Sequence, residues 1–212
     1  MSNSAEAKEL VEALTPTGRA TVAFLTASRL GDIAADERFE SYFAGGPQAF
    51  SDAIAACGAL ARGEDPTVSL GSTLDAIIEL IGPPGEEYEE PKYEGAWFLD
   101  ALAAANYAVR AWAEPDDSAR WCNNALRCLT SSVGFLDDEL RDNQLEESVA
   151  AQAGFAGELT SLEADRQRQD IHDIGSCAED ELPLIVDELV PHSQRLARYY
   201  GFAYRALTTG RN

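Results

Sequence analysis

The stretch that decides the fold runs from Trp97 to Phe135 and reads WFLDALAAANYAVRAWAEPDDSARWCNNALRCLTSSVGF. Its apolar residues alternate spacings of four and three, which places them on one face of a helix. In the first half the residues that follow this pattern are Phe98, Leu102, Ala105, Val109 and Trp112. In the second half they are Trp121, Ala125, Cys128, Ser132 and Phe135. Glu114 and Pro115 separate the halves, so the sequence predicts two helices joined by a short turn into an antiparallel hairpin.

Shorter helices are predicted on the N-terminal side of this hairpin. Thr15 followed by Pro16 is typical of a helix start, because threonine caps free N–H groups and proline fits the first helical position. Glycine and proline punctuation then predicts three further helices, over residues 36–43, 47–60 and 70–80. We interpret residues 82–91, which are rich in Pro, Gly and Glu, as a connection inside one domain.

Two more helices are predicted on the C-terminal side. Asn143 and Glu146 have the spacing of a capping box, which predicts a third long helix. The apolar residues assigned to it are Val149, Phe155, Leu159 and Leu162. A last helix is expected after Pro183.

The predicted fold class is therefore all-α, a single-domain multi-helix bundle. No sustained alternation of period two and no internal repeat occurs, and an apolar content of 45% is enough for a sizeable core. The domain spans residues 1–212, with a core bundle over 14–190 and an Arg/Tyr-rich C-terminal helix over 191–212.

The strongest compositional feature is charge. The chain has 37 Asp and Glu against 16 Lys and Arg, a formal charge of -21, and its only lysines are Lys8 and Lys92. Such a field repels nucleic-acid phosphates and anionic lipid and speeds encounter with a basic protein partner. Adaptation to high salt produces the same composition, so the charge has two explanations. We expect no nucleic-acid partner on either of them.

The sequence also argues against a membrane protein. No segment approaches the roughly 18 apolar residues of a membrane span, and residues 1–14 lack the continuous apolar stretch of a signal peptide. We therefore expect no membrane association and a cytoplasmic protein.

No cofactor is predicted. The four cysteines contain no C-x-x-C pair and are expected to be buried thiols, and neither His172 nor His192 completes a Glu-x-x-His pair. The acidic run that includes Asp137, Asp138 and Asp142 is similar to an Asp-rich magnesium motif but has no facing second motif. We expect these acids on a solvated turn, and they are the metal candidates of an alternative carboxylate-dependent enzyme.

Two surface segments are predicted to make protein contacts. The loop formed by Glu86, Glu87, Tyr88, Glu89, Glu90 and Tyr93 mixes tyrosines with acids, which suits a basic partner; the alternative is a solvated loop. The C-terminal helix carries Arg195, Arg198, Tyr199, Tyr200 and Tyr204. We expect its aromatic face to dock onto the bundle or onto a second copy, which would make a homodimer, with the arginines meeting carboxylates.

A resemblance to a known family rests on the register of these segments. They are an opening amphipathic helix over Arg19–Leu30, Tyr93-Glu94-Gly95-Ala96 before the Ala-rich helix, Ser131-Ser132-Val133 before the acidic turn, and Glu146-Glu147. Over about residues 14–170 the chain resembles the YjaG-like family of bacterial proteins (domain of unknown function 416). The resemblance implies a small all-helical protein and transfers no catalytic residue.

The predicted function is a non-enzymatic acidic module that binds a basic protein. Its most specific form is an immunity or inhibitor protein for a basic toxin or nuclease. The alternatives are the carboxylate-dependent metal enzyme and a cytoplasmic protein whose charge reflects high salt.

Overall fold

The computed structural model describes residues 2–81, 93–154 and 157–209, and in these residues it contains α-helices and two 3-10 turns but no strand. The all-α prediction is confirmed. The helices are α1 (Ser2–Ala13), α2 (Pro16–Ser28), α3 (Gly31–Ala34), α4 (Arg38–Tyr42), α5 (Gly46–Ala61), α6 (Leu70–Ile81), α7 (Tyr93–Ala113), α8 (Ser118–Asp142), α9 (Glu146–Ala153), α10 (Leu159–Ser176) and α11 (Leu182–Thr208). The 3-10 turns are Pro115–Asp117 and Glu179–Glu181.

Helix α2 is the centre of the bundle. It begins as the sequence predicts, with the Thr15 hydroxyl accepting the Gly18 N–H at 3.1 Å and Pro16 in the first helical position. Every residue over 20–27 is buried, and α2 contacts α5, α7, α8, α10 and α11. A helix that is apolar on all sides is stable only when neighbours cover it completely. The other long helices therefore pack around α2.

Helices α7 and α8 form the predicted hairpin, but the buried face of α8 differs from the prediction. Phe98, Leu102 and Val109 of α7 are fully buried. Phe135 of α8 is 42% exposed and Trp121 only half-buried, whereas Cys122, Ala125, Leu126, Leu129, Val133, Leu136 and Leu140 are buried. The reason is that α8 packs against α2 and α10 as well as α7, so its apolar face is turned toward all three.

The predicted third long helix is wrong. The chain forms a short helix, α9, turns at Gly154 and Gly157, and begins a new helix, α10, at Leu159. Both glycines have positive φ, 71° and 109°, a conformation that interrupts a helix and favours glycine. Asn143 does not cap α9, because Leu145 immediately precedes that helix.

The C-terminal residues are part of a longer helix than predicted. Helix α11 begins at Leu182 and continues through Pro191 to Thr208, so residues 192–208 are its second half and not a separate helix. Because proline has no backbone N–H, α11 has one hydrogen bond fewer at Pro191 than an uninterrupted helix.

None of the helices in the described ranges combines the length and apolar composition needed to cross a membrane.

Replacing Leu102 by Ala tests the core. Leu102 is fully buried, so truncation should lower the free energy of unfolding by about 2–5 kcal/mol through lost burial and a residual cavity. The matched control is Leu184→Ala on α11, where the side chain is 68% exposed and the change should stay within about 0.5 kcal/mol. Urea unfolding followed by circular dichroism measures both, and equal effects would contradict the packing.

Candidate functional site

The predicted partner-binding loop falls almost entirely outside the described residues. Glu86, Glu87, Tyr88, Glu89 and Glu90 are not among them, and Tyr93 is the first residue of α7. Its contribution to binding stays a prediction.

Asp137 has a structural role that the sequence analysis did not anticipate. It is buried, and its carboxylate accepts the Leu159 N–H at 2.9 Å and the Thr160 N–H at 2.7 Å. A carboxylate at the first turn of a helix satisfies free N–H groups and complements the helix dipole. The expectation that Asp137 lies on a solvated turn is therefore wrong, because Asp137 caps α10 from α8.

The other two metal candidates are exposed. Asp138 accepts a hydrogen bond from Arg141 at 2.9 Å, and Asp142 is the last residue of α8. Within the described part of the chain, no group of three or more His, Cys, Asp or Glu side chains is arranged to hold a metal ion.

The aromatic side chains of the C-terminal helix pack into the bundle. Tyr199, Tyr200 and Tyr204 are buried, whereas Arg195 and Arg198 are exposed. The Tyr204 ring lies 5.9 Å from the ring of Phe39 and 6.3 Å from that of Trp97, measured between centroids. Arg205, one residue further on, pairs with Asp32 of α3 at 3.1 Å.

A buried charged cluster, which was not predicted from the sequence, links α2, α10 and α11. We call it the Arg29 cluster, and its members are Arg29, Glu163, Arg166, Asp170, Ser193 and Tyr200. Arg29 is completely buried; it donates to Glu163 at 2.5 Å and also to Asp170. Tyr200 donates to the second Glu163 oxygen at 2.7 Å. The only local signal was a single cation in an apolar stretch, Ala27-Ser28-Arg29-Leu30.

The charges in this cluster are balanced. Two guanidinium groups meet two carboxylates, since Arg166 Nη2 lies 2.5 Å from Asp170. Burial and the neighbouring Arg29 lower the pKa of Arg166. Burial and the Glu163 charge raise the pKa of Tyr200 well above its ordinary value, so its phenol keeps the proton that it donates. These contacts join three helices, although the Asp170 oxygen that faces Arg166 is paired by charge alone and accepts no hydrogen bond from the described residues.

Removing the buried cation tests the Arg29 cluster. Arg29→Met should lower the free energy of unfolding by about 3–5 kcal/mol, because two buried carboxylates lose their main partner. Adding Glu163→Gln to that variant removes one uncompensated charge and should recover part of the loss. Thermal and urea unfolding measure both proteins. A double variant less stable than Arg29→Met would contradict the electrostatic explanation.

A second polar contact joins α7 and α8 near the surface. The Ser132 hydroxyl donates to the Asp100 carboxylate at 2.5 Å, and the Cys128 thiol donates to the Asp100 carbonyl oxygen at 3.4 Å. Burial raises the pKa of Cys128 to about 12, so at neutral pH the thiol is protonated and a weak nucleophile. Both histidines are exposed on other helices, α10 and α11. Neither histidine is therefore positioned to act on the Ser132 and Asp100 pair.

Asp100 should make stability pH-dependent. Burial raises its pKa in the folded protein above the ordinary 3.8, only partly opposed by the Ser132 hydrogen bond. The stability that this group contributes is present at low pH and is lost as the pH rises through the folded-state pKa. Asp100→Asn should therefore gain stability relative to the parent as the pH rises from about 3 to 7. Parallel stability curves for the two proteins would contradict this, and Ser132→Ala should steepen the dependence.

Exposed acids from three chain segments converge at one end of the bundle. Helices α2 and α10 are antiparallel, with Gly18 beside Ile174 and Arg29 beside Glu163. Helix α8 is also antiparallel to α10, so the turn before α8 lies at the end where α10 finishes. We call this the acidic end, and its exposed acids are Glu9, Glu12, Asp116, Asp117, Glu179, Asp180 and Glu181.

Few cations oppose these acids. Lys8 pairs with Glu12 at 3.7 Å, and Arg19 donates to the backbone oxygens of Val11 and Glu12 at the end of α1. Arg120 lies 4.6 Å from the centre of the Trp121 ring. The negative charge of the acidic end is therefore only partly neutralised.

A small notch with both polar and apolar lining opens at the acidic end. Its volume is about 90 Å³, and Leu14, Ile174 and Leu182 are among the side chains that line it. Glu179 and the half-buried Cys177 also line it. The notch exists because the end of α1, the start of α2, the end of α10 and the turn before α11 meet there, a juxtaposition that spacing in the sequence does not show.

No protein-family model matches the chain, and no curated protein or solved structure matches it. The resemblance to the YjaG-like family stays a prediction.

Proposed function

We propose that this protein is a non-enzymatic acidic module that binds a basic segment of another protein. The observation that carries the proposal is the acidic end, where seven exposed acids lie at the same end of the bundle as a notch lined by Glu179 and by apolar side chains. Interfaces that combine an apolar centre with complementary charge at the rim gain both affinity and rapid encounter. The net charge of -21 extends the attraction for a basic partner over the whole surface.

The most specific form of this proposal is an immunity or inhibitor protein that covers a basic toxin or nuclease. A cytoplasmic location is part of the proposal, as is binding as a single copy or a homodimer. The metal-enzyme alternative is weakened because the Asp137 carboxylate is already occupied by helix N–H groups. If the charge reflects high-salt adaptation, removing exposed acids at any position should affect peptide binding equally. If the acidic end is a binding site, removing acids there should weaken binding more.

Two charge variants separate local binding from a general negative field. Glu179→Gln with Asp180→Asn removes two charges at the acidic end, and Asp142→Asn with Glu147→Gln removes two exposed charges at the opposite end of α10. The probe is a fluorescent peptide with two arginines on each side of a central leucine. The first pair should weaken binding roughly 3- to 10-fold and the second less than about 2-fold, since each exposed ion pair is worth about 0.2–1 kcal/mol.

Stopped-flow association at increasing salt gives the second measurement. Steering by charge predicts association that slows as salt is added, with a smaller effect on dissociation. Circular dichroism and melting confirm that both variants keep the fold. Equal weakening by the two charge pairs would refute a local site and favour high-salt adaptation as the source of the charge.

A further inference from the structure

The shape and lining of the notch indicate what kind of side chain it takes. Two of its positions are glycines, Gly18 and Gly175, so the wall there is backbone without side chains. The backbone packs tightly at both positions, since a Cβ on Gly18 would lie 3.2 Å from Ile174 and a Cβ on Gly175 would lie 3.0 Å from Leu14. The two glycines therefore let the ends of α2 and α10 pack closely against their neighbours where these form the wall of the notch.

The volume of the notch limits which apolar side chains can enter it. An apolar cavity of about 150 Å³ holds a benzene molecule. The notch, at about 90 Å³, is too small for an aromatic ring and suits a branched aliphatic side chain. Leu10, 42% exposed and one helical turn before Leu14, extends the apolar surface beside the opening.

The charge around the notch determines which residues of the partner segment fit on either side of the aliphatic residue. Glu179 lines the notch, and Asp180 and Glu181 follow it in the same exposed turn. Glu181 accepts the Ala178 N–H at 3.3 Å, which keeps the turn folded close to the notch. A partner segment whose aliphatic residue enters the notch would place its neighbouring residues beside these carboxylates.

We propose that the notch binds a leucine, isoleucine or valine side chain of a partner segment that carries arginine or lysine on both sides of it. The proposal rests on the proposed function and deepens it, because it names the sequence pattern of the partner. The aliphatic group packs against Leu14, Ile174 and Leu182 in the notch and displaces water, while the cations pair with nearby exposed carboxylates.

The experiment compares two peptides of equal charge. Both have two arginines on each side of a central residue, which is leucine in one and glycine in the other. Leucine should tighten binding to the parent protein about tenfold, which is less than full burial of the side chain would provide. Fluorescence anisotropy at fixed salt measures both dissociation constants.

A variant that fills the notch tests whether the preference arises there. Ala13 lines the notch at the exposed end of α1, so Ala13→Leu should occupy the space without disturbing the core. The matched control is Ala55→Leu, an exposed position on α5 that does not line the notch. Ala13→Leu should abolish the leucine preference and keep the salt-dependent binding, whereas Ala55→Leu should change neither.

Cys177 supplies an independent readout, because it lines the notch and is only half-buried. The leucine peptide should slow alkylation of Cys177 several-fold more than the glycine peptide at equal occupancy. Cys177→Ser identifies the labelled site. Equal protection by the two peptides would place the leucine elsewhere and overturn the proposal.

The outcomes separate the two proposals. If the parent protein binds both peptides equally and the acidic-end charge pair weakens both, the aliphatic specificity is refuted and the binding function stands. If the two charge pairs weaken both peptides equally, the proposed function fails. A leucine preference that survives Ala13→Leu also refutes the notch as its origin.

Discussion

The arrangement of the long helices depends on the ion pairs and hydrogen bonds of the buried Arg29 guanidinium. It lies at the end of the central helix and reaches carboxylates of α10 and a hydroxyl of α11. Apolar contacts tolerate small rotations of one helix against another, whereas a buried charge pair requires defined geometry and leaves an unpaired charge if that geometry is lost. The cluster thus fixes how α10 and α11 sit against α2, and with them the end of the bundle where the notch opens.

The elements that could be predicted from sequence are those whose signals are local. The Thr15 cap, the α7 seam and the bounds of α5 and α6 follow from residues within one or two turns of each other. The break between α9 and α10 could not be predicted, because the cap of α10 comes from Asp137, more than five helical turns earlier in the chain. A matching capping-box pattern at Asn143 then supported the wrong helix.

Only the negative charge of the candidate site could be predicted from the sequence. The sequence shows that acids are abundant, and their convergence depends on which helix ends the fold brings together. Arg29 shows the same limit, since nothing near it in the chain identifies Glu163 and Asp170 as its partners. Residues 86–90, which were predicted as a binding loop, share the acidic composition of the acidic end.

The central position of α2 has a consequence for how the protein is made. In the chain α2 precedes all five of the long helices that cover it. During synthesis the apolar surface of α2 stays partly exposed until α10 and α11 have been made. In that interval it can bind exposed hydrophobic segments of other chains. The high net negative charge makes nascent chains repel one another, so the composition that suits a basic partner also protects the unfinished molecule from aggregation.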